Sequence, residues 1–340
     1  MRKRFVLPLA SFVIALAATP IWAQPQSKIP RTKDGHPDLQ GTWNTASLTP
    51  LERPAELGTK EFYTPEEAAA YEKKRVAALN RDRRDGGNEA DLSRSYNELF
   101  LDRGTKLART LRTSMVIDPP NGRIPPMLPE ARAKFQALEA NFAVHGTDGP
   151  EDRPMPDRCL LFSQSGPPMI PGNYNNNYQI VQTRDYLVVL AEMGYQVRVI
   201  PLDGRPSLPE NMRQWTGVSR GHWEGDTLVV ESMNFKFGDR SRFGVQLNSM
   251  TDQNLRIVER FTRRPESITY RATIEDATVY TRPWTMEASF ERADGLVYEY
   301  ACHEGNYAMV DMLSGARKME REAEEQKATK QNPAKTGGAK

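Results

Sequence analysis

The sequence predicts a mainly β protein, an antiparallel meander closed into a barrel or a strongly curved sheet, with an irregular and helical N-terminal region packed on it. Three observations predict this. Across residues 178–304 the apolar positions recur with a period of two, in runs such as YQIVQT, YLVVLAEM, QVRVIPL, LRIVERFT, SITYRATI, WTMEASFE and LVYEYACHE. The connections between them (RD, LDGRP, EGD, RRPES, RADG) are too short for helical crossovers, so neighbouring strands pair antiparallel and in sequence. A meander of about eight strands must also dispose of two edges, and closure removes both. A two-sheet sandwich is the second arrangement compatible with the pattern.

The chain opens with Arg2, Lys3 and Arg4, followed by the apolar run FVLPLASFVIALAA and a small residue, Ala23. That order is a secretory signal peptide over residues 1–23, too short and proline-interrupted in its apolar part for a membrane span. Its removal takes away three basic and no acidic residues, so the formal charge falls from +2 to −1. A near-neutral surface carries no electrostatic footprint for nucleic acid. With 38% hydrophobic and 26% charged residues the remainder is globular, and 25 prolines imply long irregular connections.

Residues 24–150 form the N-terminal region. A short strand is expected near GTWNT, and TPEEAAAYEKKRVAAL reads as a helix with Thr64 as N-cap, Pro65 at its first position and Glu67 closing a capping box. A second helix is expected over Pro129 to Val144, and SMVIDPPNGRIPPM between them reads as strand, turn and short return. Residues 151–317 form the β domain. Residues 318–340 are polar, with the composition of a disordered tail.

If the meander closes, alternate residues face an interior able to hold one small ligand. Polar residues sharing parity with apolar ones are then informative: Glu192 follows Val188 and Leu190, Glu231 follows Val229, Glu259 lies between Ile257 and Phe261, and Glu299 and His303 share a face with Val297 and Ala301. A buried carboxylate needs a partner or a raised pKa. Arg198, Arg256, Arg260 and Arg271 are candidate partners; the alternative is that several of these glutamates face solvent.

The segment YEYACHEGNYAM concentrates reactive side chains. Cys302 and Cys159 are an even pair in an exported chain, which suggests a disulfide; reduced core thiols or a metal-ligating cysteine are the alternatives. A lone Cys-His is not a covalent haem motif, and no cofactor motif is present. A metal held by His303, Glu304, His222 and Glu192 lacks any supporting spacing. Acid–base catalysis by His303 with Glu304 or Glu192 is chemically ordinary, since imidazole titrates near neutrality. Asn306 and Gly305 supply the turn, and Asn306 is also a candidate ligand contact. Upstream, GNYNNNYQI places Asn175, Asn176, Asn177 and Tyr178 before a strand, either as turn caps or as a polar and aromatic rim for a hydroxylated or phenolic ligand. His222 and Trp223, in RGHWEGD, are a strand-end pair with both a structural and a ligand-contacting reading.

The runs MVIDPPNGRIPPMLPEARA, GPEDRPMPDRCLLFSQSGPPMIPGNYNNNYQIVQT, SRGHWEGDTLVVESMNF and YEYACHEGNYAM resemble a large, uncharacterised family of exported bacterial proteins ending in a YEYACHEGNY-type motif, over residues 36–317. The resemblance implies export and a β-rich body and transfers no catalytic residue. GTW followed by WEGDTLVV is similar to lipocalin-like (calycin) barrels. The expected function is cofactor-independent lyase, isomerase or hydratase chemistry, by His/Glu acid–base catalysis, on a small aromatic, terpenoid or sugar-derived molecule. A periplasmic carrier without catalysis and an envelope-associated interaction protein are the alternatives.

Overall fold

The computed structural model describes residues 28–94, 97–236 and 254–331. The signal peptide predicted over residues 1–23 lies outside them. Ten described strands form one antiparallel sheet: β1 (Gly41–Asn44), β2 (Val116–Asp118), β3 (Asn177–Gln182), β4 (Tyr186–Ala191), β5 (Val197–Pro201), β6 (Val218–Glu224), β7 (Thr227–Met233), β8 (Arg256–Arg263), β9 (Ser267–Glu275) and β10 (Trp284–Arg292). Their spatial order is β5-β4-β3-β1-β10-β9-β8-β7-β6, with β2 paired to β10 beside β1. The sheet is a nearly closed barrel with one unsealed seam, where β5 and β6 lie side by side without a hydrogen-bonded ladder.

Two meanders, β3-β4-β5 and β6 to β10, are thus joined by the short N-terminal strand β1. Trp43 in β1 faces Tyr178 of β3 on one side and Arg292 of β10 on the other. Trp43 is fully buried, donates its indole N–H to Leu39 O at 2.9 Å, and is stacked by the guanidinium groups of Arg263 and Arg292 at 4.9 and 5.5 Å.

Interior positions follow the period of two. Tyr178 and Ile180, Leu187 and Val189, Ile257 and Phe261, and Tyr270 and Ala272 are all buried on one face. Tyr178, Phe261, Tyr270 and Phe290 pack ring against ring with centroids 5.2–6.4 Å apart. Aromatic side chains therefore fill the barrel where the sequence pattern suggested a ligand. At the seam, Gly221 of β6 has a specific role: a Cβ there would fall 2.5 Å from Leu202 Cδ2 and 3.3 Å from Ile200 Cγ2. The missing side chain lets β6 come up against the side chains of β5 and its following residue.

Helix α1 (Pro65–Leu79) has the expected capping box: Glu67 N donates to Thr64 Oγ1 at 3.3 Å and Thr64 N to Glu67 Oε2 at 2.8 Å. It buries Ala68 against Leu48 and Leu107 in a small satellite cluster. A short α2 (Gly87–Ser93) follows, and α3 (Pro129–His145) lies where the sequence placed it.

Two stretches differ from expectation. Leu296–Glu304, read as the last strand, is not one. Both edges of β10 are occupied, by β9 on one side and by β1 and β2 on the other, so the chain beyond Arg292 has no ladder to join. After Ala293 N bonds Thr42 O, the chain leaves the sheet. The polar C-terminal stretch is helical as far as Gln331, in α4 (Tyr307–Gln331). Arg317 anchors that helix by donating to Thr147 O and Asp148 O, both at 3.0 Å. Among the described residues no helix is long and apolar enough to cross a membrane.

Candidate functional site

Three of the side chains singled out from the sequence lie inside the barrel. Arg198 and Glu259 form a two-point ion pair, Nη1 to Oε1 at 3.0 Å and Nη2 to Oε2, with both side chains almost fully buried. Tyr270 donates its hydroxyl to Glu259 Oε1 at 2.9 Å and accepts from Met169 N at 2.9 Å. Arg198 also reaches Ser219 of β6 at 3.4 Å, and Ser219 bonds Ser232 at 2.8 Å. Burial alone would lower the Arg198 pKa, but the Glu259 carboxylate outweighs it and the guanidinium is held more firmly charged than usual. Burial, reinforced by Glu259, keeps the Tyr270 hydroxyl protonated well above its ordinary range. Tyr178, the third, is fully buried and donates to Gln164 O at 2.6 Å. These groups are engaged with one another or with the backbone. The other arginines pair on the outer face: Arg256 with Glu231 and Glu275, Arg260 with Glu224, and Arg271 with Glu287.

The polar groups that meet open space sit elsewhere, on the outer face of the wall at one end of β1, β3 and β4. Asn44, Asn177 and Glu192 follow or precede interior residues by one position, so the pleat turns them outward. The parity of Glu192 with Val188 and Leu190 suggested an interior carboxylate; in β4 Leu187, Val189 and Ala191 are the interior set, Val188 and Leu190 face outward, and Glu192 lies just beyond the strand in helical backbone. Two irregular segments, one ending at Asp102 and one at Tyr298–Tyr300, close over this patch. They leave a pocket of about 290 Å³. That volume lies near the lower end of the range for small-molecule sites, roughly 300–1,000 Å³.

A chain of amides links two carboxylates in its wall. Asn44 Nδ2 donates to Asp102 Oδ2 at 3.0 Å and to Asn177 Oδ1 at 2.7 Å, and Asn177 Nδ2 donates to Glu192 Oε2 at 2.9 Å. The other Glu192 oxygen accepts from Tyr298 N at 3.2 Å, which fixes the covering segment to the wall. Glu299 also lines the pocket, and Phe100, Tyr174, Tyr298 and Tyr300 supply its rings. Burial raises the Asp102 carboxyl above its ordinary range; the Asn44 bond opposes this and the nearby Glu192 charge adds to it.

The three consecutive asparagines divide the work. Asn176 is structural: fully buried, it ties Gly172 N and O and the Asp102 carbonyl together. Asn177 is the amide bridge just described. Asn175 lines the pocket with a left-handed backbone (φ 61°), and its Oδ1 accepts from Met193 N at 2.7 Å. Asp102 and Asn44 were absent from the sequence reading, because nothing in the local pattern FLDRG or GTWNT marks them.

The remaining candidates are scattered. His222 is exposed and 3.2 Å from Glu224, and Trp223 stacks on His36 with centroids 4.5 Å apart. Cys159 and Cys302 form a disulfide across a sequence separation of 143. His303 and Glu304 are exposed in the turn beyond it and do not line the pocket. Asn306 Oδ1 accepts from Met309 N at 3.3 Å as a cap of α4, while its Nδ2 donates to Asp157 O at 2.8 Å. Among the described residues no three His, Cys, Asp or Glu side chains are grouped as a metal site.

Replacing Asp102 by asparagine keeps an acceptor for Asn44 and removes a charge that burial disfavours. Because the folded carboxyl titrates above its unfolded value, the wild type loses stability as pH rises through that window. Asp102→Asn is therefore expected to melt higher than wild type at neutral pH, with the gain vanishing once acid protonates the carboxyl in both states. A melting-temperature series against pH checks it.

No protein-family model and no curated protein matches this chain.

Proposed function

We propose that this chain binds a small hydroxylated, sugar-derived molecule in the pocket between the outer barrel wall and the Tyr298–Tyr300 segment. The observation that carries the reading is the convergence there of directional polar groups (Asn175, Asn177, Glu192) with exposed ring faces. Tyr298 is 74% and Phe100 60% exposed, which is costly in water and useful for stacking on a sugar ring. Tyr298→Ala is expected to weaken binding of such a ligand by at least about tenfold, or 1.4 kcal/mol. Saturation-transfer NMR against a sugar panel tests it, and unchanged binding in the variant would remove the pocket from the reading.

A second reading, acid–base catalysis on the bound molecule, is favoured by one observation: two carboxylates, Asp102 and Glu192, are joined by an amide bridge in one pocket wall, and burial raises the Asp102 carboxyl above its ordinary range. In this reading the two carboxyl groups are the pair that moves protons. Glu192→Gln is then expected to lower turnover by roughly 10²–10⁴-fold with binding little changed. Equal turnover in the variant would leave the carrier reading. Export to an oxidising compartment, supported by the disulfide, and kinship with lipocalin-like barrels, supported by the barrel, belong to the same proposal, as does membership of the YEYACHEGNY-type family, which rests on the sequence resemblance alone.

A further inference from the structure

Asp102 and Arg103 are consecutive, and so are Asn173 and Tyr174, yet each pair divides between two pockets. Asp102 and Tyr174 line the pocket at Tyr298, while Arg103 and Asn173 line a second, smaller one of about 110 Å³. The Asp102 N to Asn173 O bond at 2.7 Å stitches the shared wall together. Arg75 and Leu79 of α1 and the stretch 47–51 after β1 complete the second pocket. Its backbone is fixed in advance of any ligand: Leu48 N donates to Lys106 O and Met115 N to Pro50 O, both at 2.8 Å.

This second pocket is cationic. Arg75 and Arg103 line it, and no aspartate or glutamate is among its described lining residues. Other arginines of the same region are spent on carboxylates, Arg83 and Arg94 on Asp85 and Arg84 on Asp91. Arg75 has neither an ion pair nor a hydrogen bond among the described residues. Arg103 uses Nη2 on Leu79 O at 2.7 Å and on Glu98, which leaves its Nε and Nη1 without a bond among the described residues. Two cations at one small cavity repel each other, and an anion between them turns that repulsion into attraction. The planar guanidinium fork matches a carboxylate in particular, because it can donate to both oxygens at once.

The remaining lining sets the rest of the ligand. Leu48, Leu51, Met115 and Pro171 supply apolar surface, and the hydroxyls of Ser47 and Thr49 bond each other at 3.2 Å. A bare inorganic anion would leave the apolar surface uncovered. An apolar cavity of roughly 150 Å³ takes up benzene, so the smaller space here suits a molecule of about four to six heavy atoms. We propose that the pocket is a site for a short-chain carboxylate, its charged end held by Arg75 and Arg103 and its chain lying against Leu48, Leu51 and Met115. It is a second site, which stands or falls independently of the pocket at Tyr298.

The test is an NMR titration of the full chain, after removal of residues 1–23, with butyrate, its neutral isostere butyramide, acetate and inorganic phosphate. Butyrate is expected to bind at least about tenfold more tightly than butyramide at low salt, with the advantage shrinking as salt screens the arginines. Arg75→Gln should abolish most of that advantage; because Arg75 has no partner to lose, the variant should fold and melt as the wild type does. Glu98→Gln keeps an acceptor for Arg81 N (2.6 Å) but removes the charge competing for Arg103, and should tighten butyrate binding. Butyrate and butyramide binding alike, or butyrate failing to bind at tens of millimolar, overturns the proposal. Butyrate binding that survives Arg75→Gln, or that is lost in Tyr298→Ala, overturns the placement. Acetate or phosphate binding as tightly as butyrate overturns the apolar chain, and weaker binding in Glu98→Gln overturns the role of Arg103.

Discussion

Glu259→Ala is expected to destabilise the protein by about 3–5 kcal/mol, the cost of leaving a buried charge without its partner. The partner is Arg198, whose side chain is 2% exposed and has no route to water in the folded chain. The pair also sits at the seam of the barrel. The ladder of backbone hydrogen bonds that runs round the barrel stops between β5 and β6, and Arg198 of β5 bridges the gap to Ser219 of β6 while bonding Glu259 of β8. Tyr270 would lose an acceptor in the same variant. The double variant Arg198→Met with Glu259→Leu removes both charges and should recover most of the loss, since well-packed apolar residues often replace a buried pair at little cost. Urea unfolding of the three proteins checks this. A loss below about 1 kcal/mol for Glu259→Ala would mean that the pair is effectively hydrated.

Cys302→Ser is expected to cost about 2–5 kcal/mol, the usual range for a native disulfide. The bridge closes a long loop, with 143 residues of sequence separation, so the unfolded chain gains much freedom when it is lost. The loss also has a local side. Cys302 follows Tyr300 by two residues, and Tyr300 packs edge-on against Phe162, with centroids 5.8 Å apart, near Cys159. The covering segment after Ala293 belongs to no strand, and the disulfide, the Tyr298 N to Glu192 bond and the Tyr300–Phe162 contact are among its ties to the rest of the fold. The variant should therefore lose ligand affinity as well as stability. Alkylation of the wild type in denaturant should label neither thiol until a reductant is added.

Much of the fold was legible because its signals are local. The period of two in YLVVLA and LRIVERF marks a half-buried strand wherever the chain places it, and Thr64-Pro65 with Glu67 is a helix start whose hydrogen bonds lie within four residues. The strand reading of LVYEYACHE failed for the opposite reason. Its alternation is as regular as that of any true strand, but a strand needs a free edge, and β9, β1 and β2 had taken both edges of β10.

The site was legible in part. Glu192 was singled out by its parity with Val188 and Leu190, and Asn175 and Asn177 as polar residues just before a strand. Asp102 and Asn44 were not, because each gains its meaning from residues far away in sequence: Asn44 lies 58 positions from Asp102 and 133 from Asn177. Glu259 carried the same parity signal as Glu192, and only the structure separated a carboxylate paired with Arg198 inside the barrel from one facing a pocket.

By itself the sequence determined the mainly β class of fold and the helix starts, and it made a Cys159–Cys302 disulfide an expectation that the structure bears out. Those follow from composition and from interactions a few residues long. The tertiary structure decided which face of each strand is inside, how β1 joins two meanders, and where the barrel stays open. It also decided that Asn177 and Glu192 line a pocket on the outer side of the wall. One residue of register exchanges the two faces of a strand, and whether an interior is empty depends on how large rings from opposite walls meet. Neither is written in any single segment of the chain.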